Sequence, residues 1–136
     1  MKVIPDGHFI ASTSLSEKWK EEYDRSIIFI ETGWYKRRVY TREFQFEFPG
    51  IPEDAVEFLI ERDAKTIGID TFGIELYENS EFRVHKRLLS QGIPFIEDIY
   101  CLDELEKGKP YMIAALRLKI KGASGSMARV IANEFE

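Results

Sequence analysis

The amino-acid sequence predicts an α/β fold with a mixed β-sheet: a parallel βαβ core followed by antiparallel C-terminal strands. Three observations carry this. Short apolar, β-branched runs at residues 26–30, 66–70 and 94–97 alternate with segments of helical periodicity. Strand, helix, strand, helix, strand in that order requires right-handed crossovers and a parallel sheet. Beyond residue 110 the pattern changes to two β-rich runs, 111–121 and 127–135, with only the turn Gly122-Ala123-Ser124-Gly125-Ser126 between them.

Each element has its own signal. Ser14 or Ser16 is placed to cap a short helix containing Leu15, Trp19 and Tyr23. The run Ser26-Ile27-Ile28-Phe29-Ile30 is expected as a buried strand, followed by an aromatic-rich loop ending at Phe48-Pro49-Gly50. Pro52 with Glu53 and Asp54 marks a helix start, because proline suits the first turn and acids complement the helix dipole. Ala55, Val56, Leu59 and Ile60 line one face of that helix. Thr66-Ile67-Gly68-Ile69-Asp70 is the second strand. Asn79 or Ser80 is expected to cap the next helix, with Phe82, His85, Leu88 and Leu89 on its buried face and Gly92 ending it. Pro94-Phe95-Ile96-Glu97 is the third strand, and the two C-terminal runs are expected to add antiparallel strands to the sheet. No repeat or low-complexity linker divides residues 1–136, which read as one domain.

Composition narrows the function. Nineteen basic against 24 acidic residues give a net charge of −5, which argues against a nucleic-acid partner, since phosphate binding needs a basic patch. The short run Lys36-Arg37-Arg38 reads as solvated surface. A single cysteine, Cys101, excludes an internal disulfide and a CxxC metal motif, and reads as a packed thiol. No run approaches the roughly 20 apolar residues that span a bilayer. Residues 1–6 lack the apolar stretch of a signal peptide. A soluble, cytoplasmic protein without a membrane partner is expected.

In open α/β sheets ligands gather beyond the C-terminal ends of the parallel strands. Glu31-Thr32, Asp70 and Glu97 fall there, and His85 lies on the helix just before the third strand. A histidine and a carboxylate converging at that edge are metal-binding chemistry. The plainer readings are a packed core histidine for His85 and a turn residue for Asp70. His8, in Gly7-His8-Phe9, has no ligand spacing around it and reads as structural or exposed.

A series of segments resembles one family in order. Glu31-Thr32-Gly33-Trp34 is similar to "RTGW", Phe48-Pro49-Gly50-Ile51 to "FPGL" and Gly68-Ile69-Asp70-Thr71 to "GIDT". Residues 82–89, Phe82-Arg83-Val84-His85-Lys86-Arg87-Leu88-Leu89, resemble "FPAHRALL"; Gly92-Ile93-Pro94-Phe95-Ile96-Glu97 resembles "GIPIIEN" and Leu102-Asp103-Glu104-Leu105 "LDEL". Residues 119–129, with Gly122, Gly125-Ser126 and Arg129, are similar to "LKGxxGSPVR". Together they resemble the cyclase family of metal-dependent hydrolases, which includes bacterial kynurenine formamidases, over roughly its C-terminal two-thirds.

The resemblance implies a swivelling β/β/α fold, a two-metal site typically holding zinc (or manganese), and hydrolysis of a small amide such as N-formylkynurenine. It assigns one metal to His85 and Glu97, twelve residues apart as the family pattern requires. It also implies dimers or larger assemblies, so a homo-oligomer is expected. The family's other ligands and its proton-transfer histidine lie in an "HxGTHxDxPxH" motif, which residues 1–136 do not contain, and the serine after "GIDT" is replaced by Phe72-Gly73. One histidine and one carboxylate leave zinc short of its usual three protein ligands. Two expectations follow. Either a separate N-terminal polypeptide or a neighbouring subunit supplies the rest, or the chain is an inactive remnant that keeps the α/β core as a binding or assembly module.

Overall fold

In the computed structural model, which describes residues 10–135, three parallel strands form the centre: β1 (Ile27–Ile30), β2 (Thr66–Ile69) and β3 (Phe95–Ile96), in the order β1-β2-β3. β1 and β2 are in register with Ile28 opposite Ile67 and Ile30 opposite Ile69. Alternation along a strand sends these four isoleucines to one face, and all are buried. The helices that cover this face are α1 (Ser12–Ser16), which buries Leu15, α3 (Glu53–Glu61), which buries Ala55, Val56 and Leu59, and α4 (Arg83–Ser90), which buries Val84 and Leu88. α3 packs against both α1 and α4. A fourth helix, α2 (Arg42–Phe46), buries Phe44 in the aromatic loop. Each fully buried Leu or Ile contributes about 1.5–3 kcal/mol. The Arg87–Glu57 pair between α4 and α3 is exposed and adds little by comparison. Apolar packing, not ion pairing, holds the helices on the sheet.

The α/β class and its parallel core match the sequence reading, with differences of detail. Neither Ser14 nor Ser16 caps α1, which starts at Ser12 after Ala11 and ends before Trp19 and Tyr23, Tyr23 falling in a separate turn. The C-terminal strands β4 (Tyr111–Arg117) and β5 (Ala128–Glu134) pair antiparallel, but among the described residues they form their own two-stranded sheet and are not added to the parallel one. The chain turns off the sheet after β3 through left-handed backbone at Asp98 and Cys101, which ends the extended direction well before Tyr111.

A further difference is at α4. Neither Asn79 nor Ser80 caps it: the helix begins at Arg83, and Phe82 sits at the N-cap in a left-handed conformation without a side-chain cap. Residues 76–82 are already folded into turns, Asn79 N–H donating to Leu76 O and Phe82 N–H to Asn79 O, which delays the helix. The buried face is accordingly Val84 and Leu88, while Phe82 and Leu89 are exposed. The C-terminal reading holds. Gly92 adopts φ +71, with Gly92 N–H on Leu89 O and Ile93 N–H on Leu88 O, the Schellman pattern in which glycine is favoured.

Two contacts bring the loops together at the C-terminal edge of the sheet. Asp70, 1% exposed, accepts from Thr32 N–H (2.9 Å), the Thr32 hydroxyl (2.7 Å) and Gly33 N–H (2.7 Å), closing the loop after β1 onto the end of β2. Ile51 N–H donates to Ile74 O at 2.8 Å, and the backbones approach so closely that a Cβ at Gly50 would lie 2.5 Å from Leu76 N.

Asp70→Asn replaces one acceptor oxygen by an amide that must face a donor, so it is expected to lower stability by about 1.5–3 kcal/mol. A denaturant midpoint that barely moves would contradict this account. Gly50→Ala meets main chain rather than a flexible side chain. It should cost about 1–3 kcal/mol and shift the amide resonances of residues 74–76 before those of β4 and β5.

Candidate metal centre

The loop from β2 to α4 and the end of β3 converge on one imidazole. His85, in the first turn of α4, has its ring edge-on to Phe82 (centroids 5.4 Å apart) and Phe95 (4.9 Å), which confines the ring from two sides. Its Nε2 lies 3.4 Å from Glu97 Oε1, and its Nδ1 lies 2.6 Å from Glu75 Oε2. Glu97, directly after β3, is oriented by Ile74 N–H, which donates to Oε1 at 2.8 Å. The structure therefore brings together His85 and Glu97, the two residues singled out in the sequence as a ligand pair. It places His85 at the rim of the core, with a side chain 25% exposed, instead of on the buried face.

Whether this pair suits a metal is a question of distance. Two donors about 2.0–2.1 Å from a tetrahedral zinc lie roughly 3.3–3.4 Å apart, and His85 Nε2 and Glu97 Oε1 have that spacing without rearrangement. Two carboxylates around one imidazole also give the site a negative potential that favours a cation. Glu75 is not a third ligand to the same ion, because it occupies the opposite ring nitrogen. Among the described residues no group of three or more His, Cys, Asp or Glu side chains could hold a metal ion. The residues present fit two positions of a coordination shell.

The other candidates separate from this centre. Asp70 is spent on the loop donors described above, as the turn reading expects. Glu31, 3% exposed, faces the Lys107 ammonium at 3.0 Å from Oε2. That geometry gives Oε2 no directed hydrogen bond, so charge pairing is its compensation. Lys36, Arg37 and Arg38 pair with Asp103, Glu43 and Asp98 at the surface. Burial, followed by Glu104 nearby, pushes the Cys101 thiol up, which makes it a poor nucleophile. His8 and the residue 1–6 segment lie outside the described residues.

Glu75 is the residue that sequence reasoning missed. It sits 4% exposed in the loop between β2 and α4, ten residues before His85, where nothing in local spacing ties a carboxylate to a helix that has yet to begin. The sequence offered no signal for it, because Asn79 and Ser80 read as caps; only the structure shows that α4 has no side-chain cap of its own, so that its first N–H groups need a distant acceptor.

The chain is similar to known proteins. The chain matches the Cyclase family model over residues 2–76, more than half its length. It is 31% identical to cyclase-like protein 2 of Oryza sativa subsp. japonica over 108 residues, which covers 79% of this chain and 39% of the relative. It is 30% identical to a kynurenine formamidase of Bacillus cereus over 89 residues, covering 65% of this chain and 42% of the relative. The chain thus spans about two-fifths of the length of these curated relatives. In fold it resembles isatin hydrolase A from Labrenzia aggregata (TM-score 0.82, 23% identity, 99% of this chain and 60% of that one). It likewise resembles a protein described as a potential metal-dependent hydrolase with cyclase activity (TM-score 0.79, 23% identity, 100% and 63%). The matching family model and the shared fold make this chain a member of the cyclase family.

Proposed function

We propose that the chain contributes part of the active centre of a metal-dependent hydrolase acting on a small amide, with N-formylkynurenine as the representative substrate and zinc or manganese as the metal. The observation that carries this is the 3.4 Å approach of His85 Nε2 to Glu97 Oε1, a spacing suited to two ligands of one ion. Relatives described as kynurenine formamidases and a fold neighbour described as an isatin hydrolase support the substrate class, since each of those names is of an enzyme that opens a carbon–nitrogen bond of a small aromatic molecule. When bound, the metal supplies Lewis-acid polarisation of the carbonyl and activation of water. The chain's own residues do the holding: Glu97, oriented by Ile74 N–H, and His85, confined by Phe82 and Phe95. The remaining ligands come from outside residues 1–136, from an N-terminal polypeptide carrying the HxxxHxD pattern or from a neighbouring subunit.

A second reading, an inactive remnant serving as a binding or assembly module, is favoured by the same donor count, because two ligands fall short of a catalytic zinc shell. The two readings separate on reconstitution. Purified chain with zinc or manganese is expected to show no hydrolysis of N-formylkynurenine above background. Adding a polypeptide with the HxxxHxD segment should produce activity that His85→Ala returns to background, since members of a catalytic unit do not fail independently. Turnover by the chain alone would place the active site elsewhere, and no activity in the reconstituted mixture would favour the remnant.

Association is part of the same proposal. The β4–β5 ribbon exposes Met112, Leu116 and Ile131 on one face and Met127 in the connecting turn, and a two-stranded ribbon is marginal by itself. A homo-oligomer is expected. Sedimentation giving a clean monomer at tens of micromolar, on the order of common assay concentrations, would count against it.

A further inference from the structure

Glu75 makes an unusual set of contacts for a loop carboxylate. Its Oε1 accepts from Val84 N–H at 3.0 Å and from the Asn79 side-chain amide. Its Oε2 faces His85 N–H at 3.4 Å and His85 Nδ1 at 2.6 Å. Val84 and His85 are the second and third residues of α4, whose N–H groups have no partner within the helix. Glu75 therefore takes the capping role that Phe82 cannot fill, with its negative charge at the positive end of the helix dipole. The carboxylate that starts the helix also holds the ring projecting from its first turn.

This arrangement decides which ring nitrogen is free. Val84 N–H, His85 N–H and the Asn79 amide are all donors, so both oxygens of Glu75 act as acceptors. The 2.6 Å contact to Nδ1 is then satisfied only if Nδ1 carries the hydrogen. Nε2 is then the ring nitrogen without a hydrogen, 3.4 Å from Glu97 Oε1. We propose that Glu75 is the positioning residue of the His85 centre: it fixes the imidazole as the Nδ1–H form, so that Nε2 is left unprotonated, as a ligand atom, beside Glu97.

Glu75 itself is held where this requires. The preceding residue, Ile74, is clamped on both sides, its N–H on Glu97 Oε1 and its carbonyl accepting from Ile51 N–H. Gly50 permits the close approach of the Glu75–Leu76 peptide. The positioning of His85 follows from hydrogen bonding alone, and only its consequence for metal affinity rests on the function proposed above.

Glu75→Gln is the sharp test because its outcome is set by the donors around it. A glutamine amide nitrogen at the Oε1 position would meet two donors, Val84 N–H and the Asn79 amide, whereas at the Oε2 position it gives up only the long 3.4 Å bond from His85 N–H and can donate to Nδ1, so it takes the Oε2 position. The capping bond to Val84 survives, and the ring is forced to the Nε2–H form, which blocks the proposed ligand atom. In the full 136-residue chain, nitrogen-15 spectra of the imidazole in alkaline buffer should show His85 with Nδ1–H in the wild type and with Nε2–H in Glu75→Gln. Helix content by circular dichroism should be unchanged. Zinc chloride followed in the same spectra should bind the variant about 10–100-fold more weakly, the usual effect of removing a partner behind a metal-bound histidine. A wild-type His85 found mainly as Nε2–H overturns the proposal even if the variant does not fold. So does an unchanged form in the variant, or measurable and equal zinc affinity in the two proteins. A switch in the imidazole without zinc binding to either protein leaves the positioning intact and removes the metal reading instead.

Discussion

Ile51 donates its N–H to Ile74 across a gap in which Gly50 leaves no room for a side chain, and the geometry at the sheet edge descends from that contact. It joins the segment entering α3 to the loop leaving β2. The loop cannot drift without breaking a backbone pair or exposing Ile74, which is fully buried. Its two neighbouring commitments, Ile74 N–H to Glu97 and Glu75 to the start of α4, are then made at fixed positions. Side chains on a helix and at a strand end, which have no local reason to meet, are brought together by main-chain docking of a third element.

Three buried carboxylates illustrate how such a site is kept affordable in free energy. An isolated charge removed from water costs far more than a single hydrogen bond returns. Asp70 is matched to two backbone N–H groups and a hydroxyl; Glu75 is matched to two backbone N–H groups, an amide and a ring nitrogen. Glu31 relies on one lysine. The first two stabilise particular loop conformations because their partners are main chain. Glu97 differs: it is less buried, with one backbone donor on Oε1 and the rest of the group available at the edge. That contrast separates carboxylates that hold the structure from the one proposed to bind an ion.

The parallel core was legible because its signals are local. The three apolar runs became strands nearly at their expected bounds, and Pro52 and Gly92 marked helix ends as proline and glycine do. The approach of His85 to Glu97 was suggested by their place at the strand ends, but the residues alone favoured a core histidine, and the resemblance is what raised the ligand reading. What could not be read were features set by distant contacts. The start of α4 depends on turns in residues 76–82 and on a carboxylate seven residues before the N-cap, so the local capping signals at Asn79 and Ser80 misplaced it. Of its expected buried face, Leu88 is buried, while Phe82 and Leu89 are exposed, His85 lies at the rim and Val84 takes the other core position. The detachment of β4 and β5 turned on left-handed backbone at Asp98 and Cys101, residues whose side chains permit that conformation without announcing it.

The proposed half-centre is preorganised, and this shapes what its missing part must supply. His85 and Glu97 already stand at the separation of two ligands on one ion, with the imidazole confined by two aromatic rings and a carboxylate and the glutamate held by a backbone donor. Little ordering remains to be done on this side when an ion arrives. Two donors nevertheless give weak retention, because affinity grows with each further ligand that replaces water. Were the second set of donors carried by another polypeptide, as one form of the proposal has it, the ion and those donors would bind as one cooperative unit, each making the site for the other. Activity would then depend on the concentration of the complementary segment as steeply as on that of the metal.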